Sequence, residues 1–133
     1  MTNVFMSYSR RDAGLAARLT AAIKALGLDV FADHEAIGPG SDWRKSTQLA
    51  IRKSDAVVAV LSSPDAASNS WMSYELGMAD AVGKQVLIVT PNQFSIRDLP
   101  SDMSSWRVMQ FDPSRPDLAA RDVVAHISRG AAE

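Results

Sequence analysis

Glu75 is the residue in this sequence whose position most needs a chemical explanation. It lies in "NSWMSYELGMADAV" (Asn69–Val82), which reads as a helix. At about 100° per residue, Trp71, Met72, Leu76, Met78, Ala79 and Val82 share one broad arc, and Glu75 lands inside it. Ser73, Tyr74, Gly77, Asp80 and Lys84 take the other side. A carboxylate among apolar side chains is costly unless paired or hydrogen-bonded. Two readings answer that cost. Glu75 is a structural acid held by the hydroxyl of Ser7 or Tyr8, with a helix N-terminus favouring the anion. Otherwise it borders a cleft, where a fixed, partly desolvated anion stabilises developing positive charge.

Other site chemistries find no support. The chain has no cysteine, so there is neither a disulfide framework nor a reactive thiolate. His34 and His126 are the only histidines and make no metal-ligand cluster. There is no G-x-G-x-x-G, no phosphate-loop lysine motif and no G-x-S-x-G elbow, and "GPG" (Gly38–Gly40) is only a turn signal. Composition narrows the field further. At 133 residues and a net charge of −1, the chain suits one domain with a single core. Its mixed charges show no basic stripe for nucleic acid or an anionic membrane. The longest apolar run, "AVVAVL" from Ala56, has the length of a strand and not of a membrane span. The N-terminus lacks a signal peptide's apolar core, so a cytoplasmic location is expected. The C-terminal "SRGAAE" reads as a fraying end or the start of a linker. One domain over residues 1–133, as a module of a longer protein, is the expected organisation.

The elements that must position Glu75 alternate along the chain. "NVFMSY" (Asn3–Tyr8) is a β-rich run. In "SRRD", Ser9 reads as an N-cap with Asp12 as the acid of a capping box. The following helix carries Leu15, Leu19, Ile23 and Leu26 on one face, and Gly27 ends it. "LDVFA" is a second strand, and "DHEAIGPGSD" (Asp33–Asp42) is a loop. Ser41 or Asp42 caps a helix to about Lys53. "DAVVAVLS" is an almost wholly apolar third strand, as a strand covered on both faces requires. After the Glu75 helix come "KQVLIVT", then an amphipathic edge strand "WRVMQF", then a helix over about Ser114–Arg129. This alternation predicts an α/β, flavodoxin-like, doubly wound five-stranded parallel sheet of order 2-1-3-4-5 with helices on both faces. Ligands of such sheets bind beyond the carboxyl ends of the strands, near the switch in strand order. Those ends are Ser7–Arg10, Asp33–Asp42, Ser62–Ser70 and Thr90–Phe94. A receiver domain shares the topology, but it needs acidic residues after strand one and an Asp after strand three, where this chain has "SYSRRD" and "LSSPD".

Taken together, "VFMSYSRRD", "GLDVFADHEAIGPGSDWRKSTQLAIRKSDAVVAVLS", "SWMSYELGMA" and "GKQVLIVT" resemble a TIR (Toll/interleukin-1 receptor) domain of the bacterial type over essentially the whole chain. The resemblance implies the flavodoxin-like fold and makes Asp33–Asp42 the BB loop, with Ala36, Ile37, Gly38, Pro39 and Gly40 as its self-association tip. Many bacterial and plant members, and one animal axonal member, cleave NAD to nicotinamide and ADP-ribose or a cyclised variant. Others, chiefly animal receptors and adaptors, only assemble partners. In the enzymatic members the catalytic glutamate often lies four residues beyond a tryptophan, and Glu75 with Trp71 matches. Many relatives carry Cys where this chain has Met72. Ser7, Tyr8, Ser9 and Arg10 match the segment after strand one, although some relatives place Arg directly after the Tyr. Asp33 and Glu35 match acidic positions at the loop entrance, and Trp43 matches the G-x-x-W that opens the next helix.

Each of these residues also has a structural reading. Trp71 and Trp43 can be core, Arg10 solvated, Asp33 a turn residue and Glu35 loop surface. The enzymatic reading makes NAD the substrate, with no metal or further cofactor. Its partners are other TIR domains joined head to tail, and its setting is bacterial anti-phage defence or signalling. The rival reading is a non-enzymatic assembly module.

Overall fold

The computed structural model describes residues 2–31, 43–62, 70–94, 97 and 106–132, and gives the backbone alone for residues 43–46, 70, 71 and 129–132. Five strands form one sheet: β1 (Asn3–Tyr8), β2 (Asp29–Phe31), β3 (Ala56–Val60), β4 (Gln85–Pro91) and β5 (Arg107–Phe111). Their order is β2-β1-β3-β4-β5, and every pairing is parallel. The helices are α1 (Ala13–Ala25), α2 (Trp43–Lys53), α3 (Ser70–Ala81) and α4 (Pro116–Ala132). The flavodoxin-like topology expected from the alternation is therefore the one observed.

Strand alternation divides the core into two layers. Val4, Met6 and Tyr8 of β1 join Val58, Val60, Leu87 and Val89 beneath α1 and α4, which contribute Leu19, Ile23, Ala120, Val123 and Ile127. Phe5 joins Val57, Ala59, Val86 and Ile88 beneath α2 and α3, which contribute Ile51, Met72, Leu76 and Ala79. Every residue of β3 is buried, as the unbroken run "AVVAV" required. β5 alternates and pairs only with β4, so it is the expected edge strand. β2 is a short edge of three residues on the other side, which limits the unpaired backbone open to another sheet.

Two local expectations need correction. Ser9 and Asp12 form no capping box. Residues Arg10–Asp12 make a short 3-10 turn, neither Ser9 nor Asp12 makes a side-chain cap bond, and α1 begins at Ala13. Val82 does not belong to the buried face of α3 and is 40% exposed. The helix stops at Ala81. Gly83 takes φ +76°, its N–H donates to the Asp80 carbonyl, and the Lys84 N–H donates to the Ala79 carbonyl. That paired closure is a Schellman motif, which needs the positive φ that glycine supplies, and it ends the helix with Val82 exposed in its last turn.

Candidate active site

The switch in strand order falls between β1 and β3, which are hydrogen-bonded neighbours with Ser7 opposite Ala59 and Tyr8 opposite Val60. Successive residues of β1 point to opposite faces. Ser7, fully buried, falls on the face of Phe5 and so on the side of α2 and α3. Tyr8 packs in the α1/α4 layer. The sequence places both in one candidate binding segment, but their side chains enter different layers.

Glu75 is the sixth residue of α3. Met72, Leu76 and Ala79 lie three back, one on and four on from it, and all three are fully buried against the sheet. That packing fixes the helix rotation and drives Glu75 inward with them, so the carboxylate is 0% exposed. Ser7 Oγ donates to Glu75 Oε1 at 2.7 Å, joining residues 68 apart in sequence. A hydrogen bond to a charged group contributes about 1.5–3 kcal/mol, more than a neutral one. The helix N-terminus is a weaker cause than the sequence suggested, because the dipole's influence fades within the first turn and Glu75 lies beyond it. The Ser7 hydroxyl, in the carboxyl-end half of β1, orients one oxygen of this carboxylate. An anion held this way, away from water, acts strongly on positive charge brought close to it.

A second buried carboxylate, which the sequence pattern presents as a local cap, lies just after β1. Asp12 is 3% exposed. Its Oδ2 accepts the Ser62 backbone N–H at 3.2 Å, and its Oδ1 accepts the Ser62 hydroxyl. Ser62 follows directly on Leu61, whose N–H donates to the Val89 carbonyl at 3.0 Å beyond the end of β3. Asp12 therefore ties the segment after β1 to the segment after β3, across the strand-order switch. The signal for this was weak, because S-x-x-D is satisfied on paper by a capping box.

Of the remaining sequence-selected residues, Ser9 is buried in extended backbone next to β1, and Arg10 is exposed on the 3-10 turn. Trp43 opens α2 and Trp71 is the second residue of α3, with their side chains outside the described residues. Asp33, Glu35 and the tip Ala36, Ile37, Gly38, Pro39 and Gly40 also lie outside them. Among the described residues there is no group of three or more His, Cys, Asp or Glu side chains placed to hold a metal ion. No described helix is long and apolar enough to cross a membrane.

The chain belongs to the TIR domain family, whose model matches residues 4–121. Among solved structures it is similar to a metazoan TIR-STING receptor from C. gigas in complex with 2',3'-cGAMP, with a TM-score of 0.68 and 19% identity, over 88% of this chain and 38% of that one. It is similar to the CMP N-glycosidase BcmB of Clostridium botulinum, with a TM-score of 0.67 and 14% identity, over 94% of this chain and 99% of that one. A third likeness is to the TIR domains of the activated Roq1 resistosome that recognises the pathogen effector XopQ, with a TM-score of 0.57 and 22% identity, over 69% of this chain and 58% of that one. The chain thus spans less than two thirds of the TIR-STING and Roq1 chains. Identities this low speak for the shared fold. No curated protein matches the sequence.

Proposed function

We propose that this TIR domain is an NAD nucleosidase that cleaves the bond between nicotinamide and ribose, with Glu75 as the catalytic residue. The observation that carries the reading is the buried Glu75 carboxylate, fixed by Ser7 beside the strand-order switch. One carboxylate suffices for this bond. A sugar alkoxide leaving group needs a general acid, which is why glycosidases ordinarily employ two. In NAD the bond from the ribose C1' to the pyridinium nitrogen breaks, and its electron pair goes to that nitrogen. Nicotinamide leaves neutral, and no proton has to be delivered to it. Positive charge develops on the ribose, where the Glu75 anion stabilises it. Water then adds to C1' and releases its proton, giving ADP-ribose, or a nucleophile within the same molecule adds and gives a cyclic product.

The family membership and the Trp71–Glu75 spacing support this assignment. So does the likeness to a protein named for cleaving another N-glycosidic bond of a ribonucleotide. One of the similar structures is an activated resistosome with TIR domains and another is a TIR-STING receptor, and this supports self-association as the activating step. In that arrangement the Asp33–Asp42 loop of one subunit covers the Glu75 site of the next, head to tail. Bacterial anti-phage defence or signalling is the proposed setting. The assay is incubation of purified protein with NAD and chromatography for nicotinamide, in dilute solution and with the domain artificially clustered.

The non-enzymatic reading, an assembly module, draws on the same burial. A carboxylate that is 0% exposed and bonded to Ser7 also suits a purely structural part. Absence of nicotinamide release under clustering would favour it.

A further inference from the structure

Among the described residues, three buried hydroxyls stand out because, unlike that of Ser7, they make no hydrogen bond: Ser9 Oγ, Thr47 Oγ1 and Thr90 Oγ1. Their residues are 9%, 1% and 0% exposed. Leaving a buried hydroxyl unpaired is unfavourable, so each needs an explanation. By contrast, the buried Ser54 hydroxyl donates to the Ala50 carbonyl at 2.8 Å, and Asp12 bonds Ser62.

All three hydroxyls belong to the layer that contains Glu75. On β4, Val86 and Ile88 face α2 and α3, and Thr90 continues that alternation. On β1, Phe5 and Ser7 face the same way, and extended backbone at Ser9 (φ −87°, ψ 163°) carries the alternation one step further. The pairings Tyr8 with Val60 and Val60 with Val89 set Ser9 and Thr90 at one level, on either side of Leu61. Their backbones are about 10 Å apart, two strand spacings, and the row lies about 7 Å beyond Ser7 toward the carboxyl-end rim. Thr47 lies one helical turn before Ile51, which packs in the same layer, and on α2 that turn is the one nearer the rim.

We propose that Ser9, Thr47 and Thr90 form a neutral hydroxyl bed that takes the ribose hydroxyls of an N-ribosyl substrate beside Glu75. This rests on the N-ribosyl reading of the site and adds what selects the sugar. Each protein hydroxyl offers one donor and two acceptor lone pairs, the same complement as a sugar hydroxyl. The bed carries no charge, so it matches the neutral diol better than the pyrophosphate or the pyridinium. A substrate lacking one hydroxyl would leave a buried partner unpaired, so the site should select ribose over deoxyribose.

The test uses Ser9→Ala, Thr47→Val and Thr90→Val, which delete hydroxyls while keeping most of the volume, with Thr90→Ser as the variant that retains one. Thermal denaturation with and without ADP-ribose reports the bed, and nicotinamide release from NAD and from its 2'-deoxy analogue reports the reaction. Each deletion should melt no lower than the parent and give a smaller shift with ADP-ribose. Each should raise KM for NAD about five- to tenfold, roughly one lost hydrogen bond, and narrow the preference for NAD over the deoxy analogue. Thr90→Ser should keep the preference. Unchanged shifts and KM values, or deletions that all melt lower because the hydroxyls are bonded within the protein, would overturn the bed. A parent protein that is shifted by ADP-ribose but releases no nicotinamide would instead refute the proposed reaction and leave the bed standing.

Discussion

Asp12 and Ser62 are joined by two hydrogen bonds across 50 residues of sequence, one to the Ser62 backbone N–H and one to its hydroxyl. The pair closes the gap between the ends of β1 and β3, where the strand order switches and where parallel sheets of this type accept ligands. One carboxylate thus sets the spacing of two segments that flank the candidate site.

Asp12→Ala should destabilise the domain by about 1–3 kcal/mol, because it leaves the half-buried Ser62 donors without their acceptor. Asp12→Asn keeps one acceptor and should cost less. Urea denaturation of both variants, of Ser62→Ala and of the double variant gives the coupling. An interaction energy of about 0.5–3 kcal/mol is expected, whereas strictly additive effects would show that the two residues act independently.

The Ser7–Glu75 pair invites a different exchange. Ser7→Ala alone removes the hydroxyl that donates to a buried carboxylate and should cost about 1.5–3 kcal/mol. Replacing both partners, as Ser7→Ala with Glu75→Leu, removes the buried charge together with its donor and should restore stability to near the parent's value. The double variant should cleave no NAD. A double variant less stable than Ser7→Ala alone would show that the carboxylate is kept for the fold.

Strand alternation explains how much of this was legible. The wholly apolar "AVVAV" and "VLIV" runs declared buried parallel strands, and the helical arc around Glu75 declared an inward carboxylate. The same alternation separates Ser7 from Tyr8, so their opposite placement was available from β1 alone. Asp12 was not legible, because a long-range bond to Ser62 leaves no local pattern and a capping box offered a nearer use for the same residue. Thr90 was equally silent, since one threonine ending an apolar strand is ordinary β-sequence. What makes it notable is the absence of a bonding partner, which only coordinates reveal.

Assembly gives a concentration test. If the Asp33–Asp42 loop of one subunit completes the Glu75 site of the next, specific activity should rise with protein concentration, and Ile37→Glu or Gly40→Arg should suppress it. Mixing either loop variant with Glu75→Ala protein should restore some turnover, because each supplies the half the other lacks. Constant specific activity across a wide dilution series, with a monomer throughout, would contradict a shared site.

Acid should also weaken a surface turn. Asp112 accepts the Ser114 hydroxyl at 2.7 Å and the Ser114 N–H at 2.9 Å, just before α4, and these bonds hold its carboxyl below the usual carboxylate value. A carboxyl with a lowered folded-state pKa contributes stability that is present above its unfolded value, about 3.9, and lost as pH falls through the folded one. The melting temperatures of the parent and Asp112→Asn should therefore differ at neutral pH and converge as pH falls below the unfolded value of about 3.9. A difference that persisted undiminished into acid would assign the effect to something other than this ionisation.

The proposed reaction needs the charge of Glu75. Glu75→Gln keeps the side chain's shape and an oxygen able to accept the Ser7 hydroxyl, and removes only the charge. With the domain clustered, nicotinamide release from NAD should fall at least about a hundredfold, the scale of losing a main electrostatic stabiliser, while the melting temperature stays close to the parent's. Turnover by Glu75→Gln near the parent rate would contradict the account.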